Sequence, residues 1–261
     1  VRDNKARIEE GYVSFLGIFD GVSAKLGQER IDFGRLNKQH PHTWSFVSMP
    51  TVVENFLGEL NGAGATLSYL VPLPFFLSLD VSGWKLPEPE SFGPRNFMGT
   101  AKLLGSFPLG NKAELQFGGS GAVGQGPEST NAVDNLKIVS ADLTLKFFPS
   151  SHSRVVFQNE GYGLFRESTA LSASSYSRLG FYSFLGIKPV RECEFGLRYD
   201  LSQGTEEADA VYYGKGSAFG TWWLTEGTSF RLEYSFEFER LIHNLALQFV
   251  FGLGPHTHPI R

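Results

Sequence analysis

Apolar and polar residues alternate with period two through most of the chain, and this alternation predicts strands. Between Phe230 and Glu239, Phe230, Leu232, Tyr234, Phe236 and Phe238 share one face, and Arg231, Glu233, Ser235, Glu237 and Glu239 share the other. Near the end of the chain Leu245, Leu247, Phe249, Phe251 and Leu253 oppose Asn244, Ala246, Gln248, Val250 and Gly252. Phe75, Leu77, Leu79 and Val81 oppose Ser78, Asp80 and Ser82, and Cys193, Phe195, Leu197 and Tyr199 oppose Glu192, Glu194, Arg198 and Asp200. The pattern predicts about thirteen strands, roughly 6–18, 22–34, 64–71, 75–84, 96–107, 113–123, 136–148, 154–166, 176–187, 192–200, 210–225, 229–239 and 244–254.

Alternation fits two architectures. A soluble sandwich or lipocalin turns its apolar face inward, whereas a membrane barrel turns it toward lipid and lines its lumen with the polar face. The connections favour the second. One set is tight and rich in turn residues: Asp20-Gly21, Pro72-Leu73-Pro74, Pro108 to Asn111, Pro149 to Ser153, Lys188 to Arg191 and Glu226-Gly227-Thr228. The alternate set is mostly long: 35–63, 85–95, 124–135, 167–175, 201–209 and a short 240–243. Short turns at one end and long loops at the other characterise outer-membrane barrels, whose short turns are periplasmic and long loops extracellular. The expected fold class is therefore all-β, one antiparallel transmembrane β-barrel domain over residues 1–261. Thirteen strands break the even count of such barrels. One or three N-terminal strands are expected to be missing, giving about 14 or 16 in the full barrel. Trp222 and Trp223, beside Gly227, are expected at the periplasmic membrane–water level.

Composition removes several alternatives. The net charge of −4 gives no electrostatic case for nucleic acid. The 41% hydrophobic content is too high for a disordered chain. A single cysteine, Cys193, excludes an internal disulfide. The longest apolar run, Tyr69 to Leu77, is nine residues with two prolines, far short of a membrane-spanning helix. No nucleophile elbow, P-loop or dinucleotide fingerprint occurs. Gly118-Gly119-Ser120-Gly121 lies within a strand rather than before a helix, so it is no phosphate cradle. No enzyme and no cofactor is expected.

Segment 35–63 is long for a connection and carries apolar side chains, which argues that it does not hang freely in water. We expect it to fold into the lumen and narrow it, with His40, His42, Trp44, Phe46, Glu54 and Phe56 as the constriction residues. The rival is an external loop packed on itself or on a neighbouring subunit. His40, His42, His256 and His258 are the only candidate metal ligands, since imidazole is a common ligand. A stable site needs three or four ligands. Topology puts the two pairs on opposite sides of the membrane, so loop hydrogen bonding is the preferred reading.

The run from Glu9 through Gly34 into His40-Pro41-His42-Thr43-Trp44 and Asn55-Phe56-Leu57-Gly58 resembles a large family of Gram-negative outer-membrane barrels carrying the labels zinc-regulated and TonB-linked. Phe251-Gly252-Leu253-Gly254-Pro255-His256, followed by His258-Pro259, is similar to the end of the same family. The chain departs from it in closing on Ile260-Arg261 where an aromatic is usual. The resemblance implies a porin-like barrel in the Gram-negative outer membrane, a longer N-terminus, and metal only through regulation.

The polar face supplies candidate pore-lining groups of both signs: Lys25, Asp80, Glu114, Asp142, Lys146, Arg154, Glu160, Arg178, Glu194, Arg198, Arg231, Glu233 and Glu237. Mixed walls suit small polar solutes or ions, whereas rings of one sign select ions. Many of these groups are also placed to pair across strands and tie the wall together. The expected function is diffusion or gated passage of small polar solutes. The alternative is a structural or partner-binding barrel, plugged by its own loop or serving in a homo-oligomer or larger envelope assembly. The expected partners are outer-membrane lipid and small solutes.

Overall fold

A computed structural model describes residues 10–87, 95–125, 135–167, 175–204, 211–225 and 227–252. The strands are β1 (Gly11–Phe19), β2 (Val22–Arg30), β3 (Asn61–Leu70), β4 (Phe76–Lys85), β5 (Arg95–Leu109), β6 (Ala113–Gln125), β7 (Asn135–Phe147), β8 (Arg154–Glu167), β9 (Tyr176–Val190), β10 (Cys193–Gln203), β11 (Tyr212–Thr225), β12 (Thr228–Glu237) and β13 (Ile242–Phe251). A 3-10 turn (Pro41–Thr43) and one short helix, α1 (Thr51–Phe56), lie between β2 and β3. Each strand pairs antiparallel with its neighbours in sequence, so the order across the sheet is the order along the chain. This is an all-β antiparallel meander, rolled as an open barrel around the residues between β2 and β3. The tight connections use glycine where the backbone must turn back on itself: Gly21, at φ +75°, closes the hairpin between Phe19 and Val22.

The dressing of the sheet follows the period-two pattern with its sides reversed relative to a soluble protein. Along β7, exposed and buried residues alternate without a break. The exposed side carries Val139, Leu143 and Leu145; the buried side carries Ser140, Asp142, Thr144 and Lys146. On β12, Phe230, Leu232 and Tyr234 are exposed while Ser229, Arg231, Glu233 and Ser235 are buried. Phe249 and Phe251 of β13 are exposed as well, and Phe236 is half-buried beside His243, the ring centroids 4.6 Å apart. The concave face is thus charged and covered, and the convex face apolar and open.

Several boundaries differ from the sequence pattern. β2 stops at Arg30 rather than near 34, because Ile31 and Phe33 leave the sheet and bury their side chains on the concave side. The long connection consequently runs from 31 to 60. β1 is described from Gly11 and β13 to Phe251; residues 6–9 and 253–254 of the predicted strands lie outside the described residues. Strands β5 and β9, at 15 residues each, exceed their predicted lengths. Trp222 and Trp223 do not act as a pair. Adjacent strand residues face opposite sides, so Trp222 is exposed on the convex face while Trp223 turns inward beneath Lys188, whose Nζ lies 3.9 Å from the ring centroid.

Among the described residues the sheet is not closed, and β1 and β13 are its two edges. All nine residues of β1 are exposed, on both faces, whereas the strands inside the sheet alternate.

Candidate functional site

The segment between β2 and β3 fills the concave side, and its geometry begins at its neck. The β2–β3 ladder runs to the pair Arg30 and Asn61 and is prolonged by Ile31 N–H donating to the Leu60 carbonyl at 3.0 Å. Buried Asn37 then ties both ends together. Its Nδ2 donates to the carbonyls of Ile31 at 2.7 Å and Leu60 at 2.8 Å, and its Oδ1 accepts from Leu60 N–H at 3.0 Å. Arg30 Nε donates to the Asn37 carbonyl at 3.0 Å. Buried backbone groups must find partners, and here one amide side chain satisfies three of them.

Beyond the neck, two anchors hold the segment to the wall. The first uses Asp32, Gly34 and Arg35. Lys102 of β5 donates to Asp32 at 2.5 Å and to the Gly34 carbonyl at 2.7 Å. Gly34 N–H reaches Ser120 Oγ of β6 at 3.0 Å, and Arg35 N–H reaches Glu160 of β8 at 2.8 Å. The Arg35 guanidinium donates to Gln116 and lies 3.8 Å from Asp142. Gly34 has φ +60°, and a Cβ there would stand 2.5 Å from both Glu160 Oε1 and the Tyr162 hydroxyl. Conformation and space both demand glycine.

The second anchor grips Ser45 to Ser48. Ser45 Oγ donates to Glu194 at 2.7 Å. Glu233 accepts from the N–H groups of Val47 at 2.5 Å and Ser48 at 3.1 Å, and from the Ser48 hydroxyl. Arg198 donates to the Ser48 carbonyl at 2.7 Å and to its hydroxyl at 2.9 Å, while Arg231 donates to the Phe46 carbonyl at 3.4 Å. One carboxylate therefore takes the N–H groups of an extended stretch and two guanidiniums take its carbonyls. Arg198 also lies over the Phe46 ring at 4.4 Å and is held by Asp200 at 3.0 and 3.1 Å.

Apolar side chains fill the remaining space. Ile31, Phe33, Leu36, Trp44, Phe46, Val52, Val53, Phe56 and Leu57 of the segment join one buried cluster with inward residues of the wall, among them Leu136, Ile138, Leu164, Phe184 and Phe219. Between the charged anchors the wall presents these apolar side chains to the segment. Gly180 of β9 makes room for α1: a Cβ there would stand 2.5 Å from Val52 Cγ2.

The sequence-derived groups fall as follows. Lys25, Asp80, Glu114, Asp142, Lys146, Arg154, Glu160, Arg178, Glu194, Arg198, Arg231, Glu233 and Glu237 all belong to the face turned toward the segment. Asp142, Glu160, Glu194, Arg198, Arg231 and Glu233 touch it or its partners directly. Trp44, Phe46 and Phe56 are buried against the wall, whereas His42 and Glu54 are exposed. His40 stacks on His42, ring centroids 5.5 Å apart. His256 and His258 lie outside the described residues, and among the described residues no group of three or more ligating side chains is arranged for a metal ion. Nothing in the sequence pattern marks Asp32, Gly34, Arg35, Asn37, Ser45, Ser48 and Lys102 as contact residues. Asp32 and Gly34 fall in the run predicted as the second strand and Lys102 in the fifth, and only the length of the connection 35–63 points to the other four.

The chain is 30% identical, over an alignment of 313 residues, to an uncharacterized protein of Aquifex aeolicus (strain VF5). That match covers 98% of this chain and 64% of the relative, so the chain spans a little under two thirds of the relative's length. No family model matches the chain, and no solved structure matches it.

Proposed function

We propose that the protein is a porin-like β-barrel of the Gram-negative outer membrane that passes small polar solutes or ions through a lumen narrowed by residues 31–60. The observation that carries this reading is the inverted dressing of the sheet. A wall of exposed Leu, Phe and Val is unfavourable in water over so large an area and natural in lipid, while the charged concave face suits a lumen. The resemblance of the His40–Trp44 and Asn55–Gly58 motifs to outer-membrane barrels supports the same assignment.

The lipid assignment has its own test. Leu232→Arg places a charge on the convex face of β12, opposite Leu247 of β13. In a bilayer it should destabilise the folded barrel by about 2–4 kcal/mol near mid-membrane, read from denaturant titration in lipid vesicles. A soluble protein with Leu232 facing water would lose almost nothing, and that result would end the membrane assignment.

Passage is tested by single-channel conductance in planar bilayers. Wild-type protein should conduct, and a variant with residues 33–57 replaced by a short Gly-Ser link should conduct several-fold more, because the segment occupies the concave side and covers Asp142, Glu160, Glu194, Arg198, Arg231 and Glu233. A silent wild type together with a conducting variant would favour a second reading, a barrel plugged by its own loop. One observation speaks for that reading: Phe33 and Leu36 share a dry cluster with Leu136, Ile138 and Leu164, which resembles a seal more than a water-filled passage.

A further inference from the structure

We propose that the short-turn mouth of the lumen contains a binding site for small free oxyanions, carboxylates or phosphates, built from Lys146, Arg154 and Lys188, which gives the channel a preference for anions. The proposal rests on the channel reading above and names the class of solute it would favour.

The three cations sit on adjacent strands at one end of the concave face. Arg154 of β8 and Lys188 of β9 are direct register partners. Like charges directly opposite one another are destabilising in a sheet, so their placement calls for a compensating group. Lys146 pairs with Val156, two residues along β8 from Arg154 and on the same face. Two carboxylates flank the cluster. Glu114 lies 3.5 Å from Lys146, and Glu194 lies 3.5 Å from Arg154. Glu194 is further engaged by Ser45 of the inserted segment. Lys188 has no carboxylate within ion-pair distance among the described residues; Glu194 and Glu192 act on it only from farther away, and its ammonium rests on the Trp223 ring at 3.9 Å.

The cluster is within reach of solutes. The Arg154 side chain is 23% exposed and Lys188 is half-buried, whereas Lys146, 10% exposed, backs the site from within and Glu194, Arg198 and Glu233 beneath the segment are sealed. Nearby inward positions Ser78, Ser106 and Ser229 are uncharged. Next along the lumen, Arg35 of the segment stands against Asp142 and Gln116 and continues the positive side of the passage. Guanidinium and ammonium groups bind carboxylate and phosphate through charge-assisted hydrogen bonds. A narrow, low-dielectric mouth focuses their field and raises the local anion concentration.

The test is ion selectivity of the full-length protein in planar bilayers under a KCl gradient. The wild type should show a reversal potential favouring chloride over potassium. Lys188→Glu should lower the anion-to-cation permeability ratio by about threefold or more, with Lys188→Gln in between. Inorganic phosphate added on the short-turn side should reduce chloride current in the wild type and have little effect on Lys188→Glu. The conservative Lys188→Gln carries the test if the charge reversal fails to fold. A potassium-preferring wild type, or ratios unchanged in both variants, would overturn the proposal and leave the channel reading standing. Absence of any conductance, with or without the inserted segment, would overturn both.

Discussion

Replacing Glu233 by alanine should free the Phe46–Ser48 stretch from the wall and, in the channel proposed above, widen the path. Glu233 is 2% exposed and accepts hydrogen bonds from two backbone N–H groups and a hydroxyl of the segment. It also lies 3.6 Å from Arg198, whose side chain is fully buried. Removing one member of a buried, hydrogen-bonded pair costs about 3–5 kcal/mol, because the other charge is left uncompensated. Asp200 still holds Arg198 through Nε, so the wall itself should remain ordered and the strain should fall on the segment. Two measurements check this. Single-channel conductance should rise toward that of the segment-deleted variant. A protease that cuts after aromatic residues should reach Trp44 and Phe46, which are buried in the wild type. Glu233→Gln, which keeps the shape and one acceptor oxygen, should fall between. Wild-type conductance together with wild-type protease resistance in Glu233→Ala would show that the remaining contacts hold the segment without this carboxylate.

In a bilayer, the outer edges of β1 and β13 should be covered by an odd number of further antiparallel strands. Among the described residues the meander has thirteen strands, so β1 and β13 run in the same direction and cannot pair antiparallel with each other. An open edge in hydrocarbon leaves N–H and C=O groups without partners at several kcal/mol each. This applies over the nine residues of β1 and the ten of β13. Added strands must turn apolar side chains outward to match Leu245, Leu247 and Phe249, and polar ones inward to match Asn244 and Gln248. They could come from the same gene product or from a separate chain; the Aquifex relative has over a third of its length outside the match. Amide exchange on Gly11–Phe19 in the membrane-embedded protein should be slow at successive residues, since β2 alone protects only every second one and the added strand must protect the rest. Cysteines introduced along β1 and β13 should not cross-link directly. Efficient disulfide formation between those two strands at neighbouring-strand distance would contradict the expectation and require a parallel closure.

Much of the fold was legible because the physics that writes it is local. A strand exposes alternate residues to two environments, so Phe230 to Glu239 carried its own two faces in one dimension. Tight turns at Asp20-Gly21 and Pro149–Ser153 marked strand ends for the same reason, since few residues tolerate those backbone angles. Hence the strand count, the order of pairing and the sidedness of Asp142, Arg198 and Glu233 could be read before any coordinates. The pattern did not reveal where β2 ends. Ile31, Asp32 and Phe33 still alternate but with the apolar phase reversed from Val22, Ala24 and Leu26, because they obey a different partner, the Leu60 backbone and the concave wall.

What only the tertiary structure decided was the role of the residues without a pattern. Asn37, Gly34 and Ser48 look like ordinary loop residues in the sequence. They matter because Leu60, Glu160 and Glu233 arrive beside them from 23, 126 and 185 positions away. Likewise, thirteen polar positions could be assigned to one face, but whether each pairs with the wall, grips the segment or faces the mouth depends on distances across the lumen. Periodicity encodes which side of its own strand a side chain takes. It carries no information about what another part of the chain will place opposite, and in this protein that placement separates Glu233, sealed under Ser48, from Lys188, open at the rim.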